Sequence, residues 1–387
     1  MGYELINEAA AMVKLNTFIE NASKRDTEFP NSKTSLDSKK MFKAYEAISN
    51  WPDYKQTELI KLNKVAEWCG IKSVLYKDES TRFGLGSFKA LGGAYAVATL
   101  AKEYQKEGKD SANLTVATAT DGNHGRSVSW GAKLAGCKSK IFIHANVSQE
   151  RERAMSLLGA DVVRINGNYE ASLAACKEAA ELNNWPIVSD TSWKGYRETP
   201  MQIMAGYSVM SKEIIEQMGS SRPTHTILPI GVGGLAAGIV APMWEDMNAN
   251  LGKMISVELY FSQCFLNSIS NGKPTLVDIK EETLMAGLSC GEVSEIAWEI
   301  LKPTLSHCMS IADEGIAKIM QLFANGDFGE TSIEAGECSA SGLAALLIAK
   351  NNPSIWRQLE LNKDSKVLLI GTEGATDPIL YKQLIGS

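Results

Sequence analysis

Lys89 closes the run Arg82-Phe83-Gly84-Leu85-Gly86-Ser87-Phe88-Lys89, and an apolar helical pattern of Ala90, Leu91, Ala94, Val97 and Leu100 begins directly after it. Most lysines are solvated surface charges, but one held in such a place becomes a nucleophile toward a carbonyl once desolvation or neighbouring charge lowers its proton affinity. A second run, Gly231-Val232-Gly233-Gly234-Leu235-Ala236-Ala237-Gly238, follows the strand-like Ile227-Leu228-Pro229-Ile230 and precedes another apolar helix. Backbone without Cβ atoms can approach an anion closely, and a helix start adds unpaired N–H groups and a positive dipole end, so this run suits a phosphate. Close packing or a dinucleotide would use the same glycines; a P-loop is excluded, because no Lys-Ser or Lys-Thr pair ends the run. Two carboxylates stand in comparable positions. Asp121, in Ala119-Thr120-Asp121-Gly122-Asn123-His124-Gly125, can accept a proton or cap the helix that follows. Asp190 follows the apolar Ile187-Val188 and opens a segment containing Trp193 and Tyr196; it can pair with a cation or cap a short helix.

The elements that must position these residues alternate. Continuously apolar candidate strands at 74–77, 114–118, 140–143, 161–165, 224–229, 255–258 and 366–370 are separated by helical patterns at 88–103, 125–134, 149–158, 171–182, 201–218 and 235–247. This order reads as α/β, doubly wound, after a polar N-terminal arm. In such sheets ligands bind at the carboxyl ends of the strands, and four glycine-containing loops fall there, the fourth being Gly371-Thr372-Glu373-Gly374.

At 387 residues the chain is long enough for two domains, and its net charge of -6 without a long basic run argues against a nucleic-acid partner. No stretch is apolar for long enough to span a bilayer, and the acidic start Met1-Gly2-Tyr3-Glu4 lacks the features of an export signal, so a cytoplasmic location is expected. The seven cysteines are scattered without a CxxC pair, and His144, His225 and His307 have no metal-ligand spacing. Reduced thiols, Cys264 and Cys290 among them, and no metal are expected.

The strings Lys77-Asp78-Glu79-Ser80, Ser87-Phe88-Lys89-Ala90-Leu91-Gly92-Gly93, Asp121-Gly122-Asn123-His124-Gly125-Arg126 and the loop at Gly231 resemble, in order and spacing, the tryptophan synthase β-like family of pyridoxal-phosphate enzymes, fold type II. More narrowly, Arg82-Phe83-Gly84-Leu85, Asp190-Thr191-Ser192-Trp193-Lys194-Gly195-Tyr196, the segment from Met285 to Glu292 and Thr372-Glu373-Gly374 resemble the diaminopropionate ammonia-lyases, from about Lys77 to the C-terminus. The resemblance implies two α/β domains with twisted, mostly parallel sheets flanked by helices. Residues 1–95 and 216–387 would form a large cofactor-binding domain and 96–215 a smaller, mobile one. It also implies pyridoxal 5'-phosphate as cofactor, with Lys89 as the Schiff-base lysine next to Phe88. Asn123 would meet the cofactor's phenolic oxygen, Gly231, Val232, Gly233, Gly234 and Leu235 its phosphate, and Thr372 its pyridine nitrogen. A hydroxyl at Thr372 would not force that nitrogen to be protonated, which suits elimination. Thr120, Asp121, Gly122, Asp190, Trp193 and Tyr196 would surround the substrate, and His124 would support its loop. Lys89 and Asp121 would remove α-protons of either hand. A homodimer is likewise implied.

The expected reaction is β-elimination of ammonia from 2,3-diaminopropionate, giving pyruvate and ammonia through an aminoacrylate, with Asp190 holding the distal ammonium. Two other readings stand beside it: a serine, threonine or hydroxyaspartate dehydratase with the same cofactor, and a non-catalytic amino-acid sensor on the same scaffold. Two departures from the branch pattern concern Leu259-Tyr260-Phe261, where Pro and an acidic residue are usual, and Gln56, where Pro is usual. The first bears on side-chain specificity, the second on local backbone.

Overall fold

The computed structural model describes residues 3–25, 27–30, 34–120, 122–281 and 283–386. Ten strands form two sheets. The larger contains β1 (Leu15–Glu20), β2 (Leu59–Lys61), β3 (Ser73–Asp78), β7 (His225–Pro229), β8 (Lys253–Leu259), β9 (Leu305–Ile311) and β10 (Lys366–Gly371), in the order β1-β9-β8-β7-β10-β3-β2. The smaller is β4 (Thr115–Ala119), β5 (Lys138–Ile143) and β6 (Asp161–Arg164), in that order. Neighbours are parallel except at the two edges, where β1 runs against β9 and β2 against β3. This is the two-sheet, mostly parallel α/β arrangement that the sequence leads one to expect.

The central strands β7 and β10 are buried almost throughout because helices cover both faces, and their apolar stretches Ile227-Leu228-Pro229 and Val367-Leu368-Leu369-Ile370 mark them in the sequence. One core fills the side of the large sheet that carries the helices Lys89–Lys106, Glu198–Met218 and Gly234–Met247 and continues to the small sheet. A second covers the opposite face. The helix Lys89–Lys106 packs on both Asn123–Ala135 and Glu198–Met218, so it links the two sheets. That packing is close: a Cβ on Gly131 would fall 2.5 Å from Ala94 Cα.

Three strands lie outside the sequence expectation. β1 is a partly covered edge strand with no buried residue, inside what reads as a polar arm, and β2 has three residues. β9, Leu-Ser-His-Cys-Met-Ser-Ile, is fully buried despite its polar residues; the Ser306 hydroxyl donates to the Met254 carbonyl and the His307 ring stacks on Phe18 at 5.2 Å. Among the described residues no helix is long and apolar enough to cross a membrane.

Candidate active site

Strands β3, β10 and β7 are adjacent and parallel, and three of the four loops leave their carboxyl ends. This is the crevice position expected of an open α/β sheet. The loop after β3 turns sharply toward Lys89. Phe83, Gly84 and Gly86 all adopt positive φ, at 51°, 68° and 76°. For Phe83 that conformation is strained, and its ring is clamped by Trp51 at 5.8 Å and Trp130 at 4.6 Å. The loop is tied to the end of β10 by two backbone bonds. Phe88 N–H donates to the Thr372 carbonyl (3.0 Å) and Gly374 N–H to the Gly86 carbonyl (2.9 Å). Lys89 then opens its helix.

A buried ion cluster lies beneath the start of this loop. Arg82 reaches Glu79 (2.7 Å) and Glu213 (2.8 Å), and Lys77 reaches Glu213 (2.8 Å). The remaining donors and acceptors are also engaged: Lys77 Nζ donates to the Thr57 carbonyl and to Gln217, and Tyr54 and Thr57 donate to Glu213 and Glu79. Gln56, the second departure, donates to Glu216 (2.8 Å) at the exposed rim of this region.

Lys89 Nζ forms an ion pair with Asp190. Asp190 is brought there by a short extension of the small sheet, in which Ala117 N–H donates to Pro186 and Val188 N–H to Ala117 (2.9 and 2.8 Å). His124 fixes the same stretch, its Nε2–H donating to the Val188 carbonyl (2.8 Å), which is the supporting role expected of it. Burial by itself pulls the Lys89 ammonium down, but Asp190, Tyr207 and Cys290 more than reverse this and hold it well above the usual lysine range. Burial likewise pushes Asp190 up, and Lys89 and His124 override it, leaving the carboxyl far below the usual range. Both shifts favour the charged pair, the reverse of the lowered proton affinity expected of a nucleophilic lysine.

The glycine run after β7 arrives from the other side. The helix Gly234–Met247 starts without a side-chain cap, its N-cap being Gly233 at φ 94°. A Cβ on Gly233 would strike Phe265 at 2.5 Å, and one on Gly234 would lie 3.7 Å from the Asp190 carbonyl. Two thiols bracket Gly231: Cys264 Sγ donates to its carbonyl (3.6 Å), and Cys290 Sγ would stand 2.9 Å from a Cβ placed there. Neither cysteine is in a disulfide. Val232 accepts from Ser294 N–H (3.0 Å), and Leu235 is buried.

A model of the pyridoxal-phosphate dependent enzyme family matches residues 51–373. The chain belongs to this family. Within it, the chain is 36% identical over 379 residues to diaminopropionate ammonia-lyase of Escherichia coli K12, covering 93% of this chain and 95% of that one. It is 35% identical over 361 residues to the Salmonella typhimurium LT2 enzyme of the same name, covering 86% and 89%. The crystal structure of the Escherichia coli enzyme in complex with an aminoacrylate-PLP azomethine reaction intermediate superimposes with a TM-score of 0.86, at 33% identity and 97% and 98% coverage.

The residues present fit pyridoxal phosphate. An uncapped, glycine-built helix start offers N–H groups to a phosphate, and the Lys89 amine and the buried Thr372 hydroxyl come from neighbouring strand ends. Thr372 Oγ1 meets Ser339 Oγ at 3.2 Å. The Asn123 amide donates to Glu373 (3.3 Å), so the amide expected to meet the phenolic oxygen stands at the site's edge held by a carboxylate. Thr120 is buried, and its hydroxyl accepts from Gly122 N–H (3.2 Å). Asp121 lies outside the described residues. Trp193 and Tyr196 stack at 4.3 Å across a two-residue turn, beside the Lys177 ammonium. The Tyr196 hydroxyl is consumed within its own segment, donating to the Ile187 carbonyl and accepting from Ser189 N–H, so it braces the Asp190 loop.

Sequence reasoning missed Glu373 and Glu337 as site neighbours and Tyr207 altogether. Burial, then Glu373, pushes the Glu337 carboxyl up to about 7. Glu373 stands next to Thr372 in the sequence, and a carboxylate in that turn is the signal that marks it. Tyr207 lies in the middle of a long helix and carries no local signal. Tyr260, in the other departure, turns outward and donates to Glu281 (2.9 Å).

Proposed function

We propose that this protein eliminates ammonia from the β-carbon of 2,3-diaminopropionate, yielding pyruvate and ammonia. The observation that carries the reading is Asp190, whose carboxylate pairs with Lys89 and is held far below the usual range by Lys89 and His124 against the opposing effect of burial. Pyridoxal phosphate, when bound, supplies the electron sink that lets a proton leave the α-carbon. Gly231 to Leu235 would hold its phosphate, Lys89 its aldehyde carbon and Thr372 its ring nitrogen.

The protein's own groups do the rest. Asp190 selects a substrate whose β-substituent is cationic, because a carboxylate held ionised favours the ammonium over a neutral hydroxyl. It also keeps that nitrogen protonated, so that it departs as neutral ammonia. Once freed, the Lys89 amine takes the α-proton from one face, and Asp121 is positioned in sequence to serve the other. A dehydratase acting on serine, threonine or hydroxyaspartate would bring no cation for Asp190, and a sensor would need no lysine amine at all. The 36% identity to the Escherichia coli ammonia-lyase supports the same choice.

Steady-state rates with diaminopropionate and with serine test the reading. A kcat/KM favouring diaminopropionate by about 10²-fold or more is expected, in keeping with recognition of a charged group; a preference for serine overturns it. Lys89→Ala should lower the rate by about 10³-fold or more and abolish the visible absorption of the cofactor-loaded protein. We further propose a cytoplasmic homodimer whose residues 96–215 move as a unit. Seven cysteines outside any disulfide support the location, and the small sheet, confined to 115–164, supports the unit. The dimer rests on family resemblance and is checked by sedimentation.

A further inference from the structure

Tyr207 lies on the helix Glu198–Met218, is 1% exposed, and its hydroxyl meets no hydrogen-bond partner among the described residues. An unpaired buried hydroxyl costs about 1–3 kcal/mol, and phenylalanine would fill the same space without it. The fold nevertheless makes room for this side chain. A Cβ at Gly92 would fall 2.4 Å from Tyr207 Cε1 and 2.7 Å from Cζ, and one at Gly238 would fall 2.7 Å from Tyr207 Cβ. Both glycines are inside helices, where each is less favourable than alanine by about 1 kcal/mol. Two helices thus give up stability to close on Tyr207, Gly92 against its ring and Gly238 against its Cβ.

The ring's position shows what that phenol faces. It packs edge-on against Phe88 at 4.9 Å, and the Lys89 ammonium lies 5.5 Å from the centroid of that same Phe88 ring. Tyr207 is therefore one ring away from the reactive amine, and the charges of both Lys89 and Asp190 reach it. In the structure Lys89 satisfies Asp190. Once the lysine nitrogen is engaged by a carbonyl carbon, the carboxylate loses that partner while staying inside the pocket.

We propose that Tyr207 is a positioning residue for Asp190: its hydroxyl donates a hydrogen bond to the carboxylate when Lys89 is engaged elsewhere. A donor on this side keeps the carboxylate charged and aimed at the space where the substrate's distal ammonium would sit. The proton stays on the phenol throughout. This inference rests on the reading of Asp190 as the seat of that ammonium.

The test uses Tyr207→Phe in the cofactor-loaded full chain, with its visible absorption titrated from neutral to acid pH. The relevant transition is the one that Asp190→Asn removes. Losing a donor to a carboxylate raises its pKa, so the transition should move up by about 1 pH unit, equivalent to a hydrogen bond to a charged group. The acid limb of kcat/KM for diaminopropionate should move with it, KM should rise about 10-fold for the same reason, and kcat should stay within about threefold. The melting temperature should be unchanged or higher, because the ring is kept. A transition that stays in place, or that does not exist, overturns the proposal. Gly92→Ala, which displaces the ring but keeps the hydroxyl, should give the same upward shift; an unmoved transition there also overturns it. If the transition moves but serine proves to be the preferred substrate, the Tyr207–Asp190 bond stands and the diaminopropionate reading falls.

Discussion

Two clusters of charge lie within a few residues of each other, and they are built in opposite ways. Lys77, Glu79, Arg82 and Glu213 are 0–1% exposed, and each is held by more than one partner. Lys89 and Asp190 are 22% and 24% exposed, and among the described residues each pairs with the other alone. The first cluster is closed: positive and negative groups balance, every direction is occupied, and the loop that delivers Lys89 cannot shift without breaking several bonds. The second is open on purpose, because a lysine that must form a bond to a carbonyl carbon needs a partner it can leave. Charge used to hold a shape is fully satisfied, whereas charge used for chemistry keeps spare capacity.

Breaking the closed cluster should have the largest effect. Glu213→Ala strands Lys77 and Arg82 in the interior, and a loss of about 3–5 kcal/mol in urea denaturation is expected. Activity per folded molecule should fall as well, since Arg82 anchors the turn that carries Lys89. A loss under 1 kcal/mol would show that water reaches the cluster. Asp190→Asn should behave in reverse, with stability near that of the parent and kcat/KM for diaminopropionate down about 10²-fold, or about 2.7 kcal/mol in the barrier. Serine turnover should change far less; an equal drop for both substrates would mean that Asp190 serves Lys89 alone. The smallest effect concerns a third group, Glu337, whose carboxyl burial and Glu373 raise to about 7. The folded state binds this proton more tightly than the unfolded chain does, so its contribution to stability is present below pH 4.5 and lost as pH rises through about 7. Glu337→Gln should remove that decline, raising the melting temperature at pH 8 by about 2 °C relative to pH 5 when compared with the parent.

How much of this was legible in the sequence follows from how local each signal is. Lys89, the loop at Gly231 and Thr372 were readable because glycine-rich turns at strand ends are punctuation, and the central strands because their burial is continuous. Asp190 was readable from its apolar approach and aromatic sequel. β9 was not, since its serines and histidine find partners across 50 residues of sequence, as Ser306 does with Met254. The ion cluster and Tyr207 were hidden for the same reason. Glu213 meets Arg82 from 131 positions away, and nothing in the pattern of the helix Glu198–Met218 distinguishes a phenol at a cofactor site from one in a core.

The pairing of β1 with β9 matches Leu15 with Ile311. During synthesis the first strand to emerge must therefore wait for one made nearly three hundred residues later, roughly 15–60 s at ordinary translation rates. For that interval β1 has no sheet to join. Nascent chains of this protein should accordingly be clients of chaperones that shield early segments.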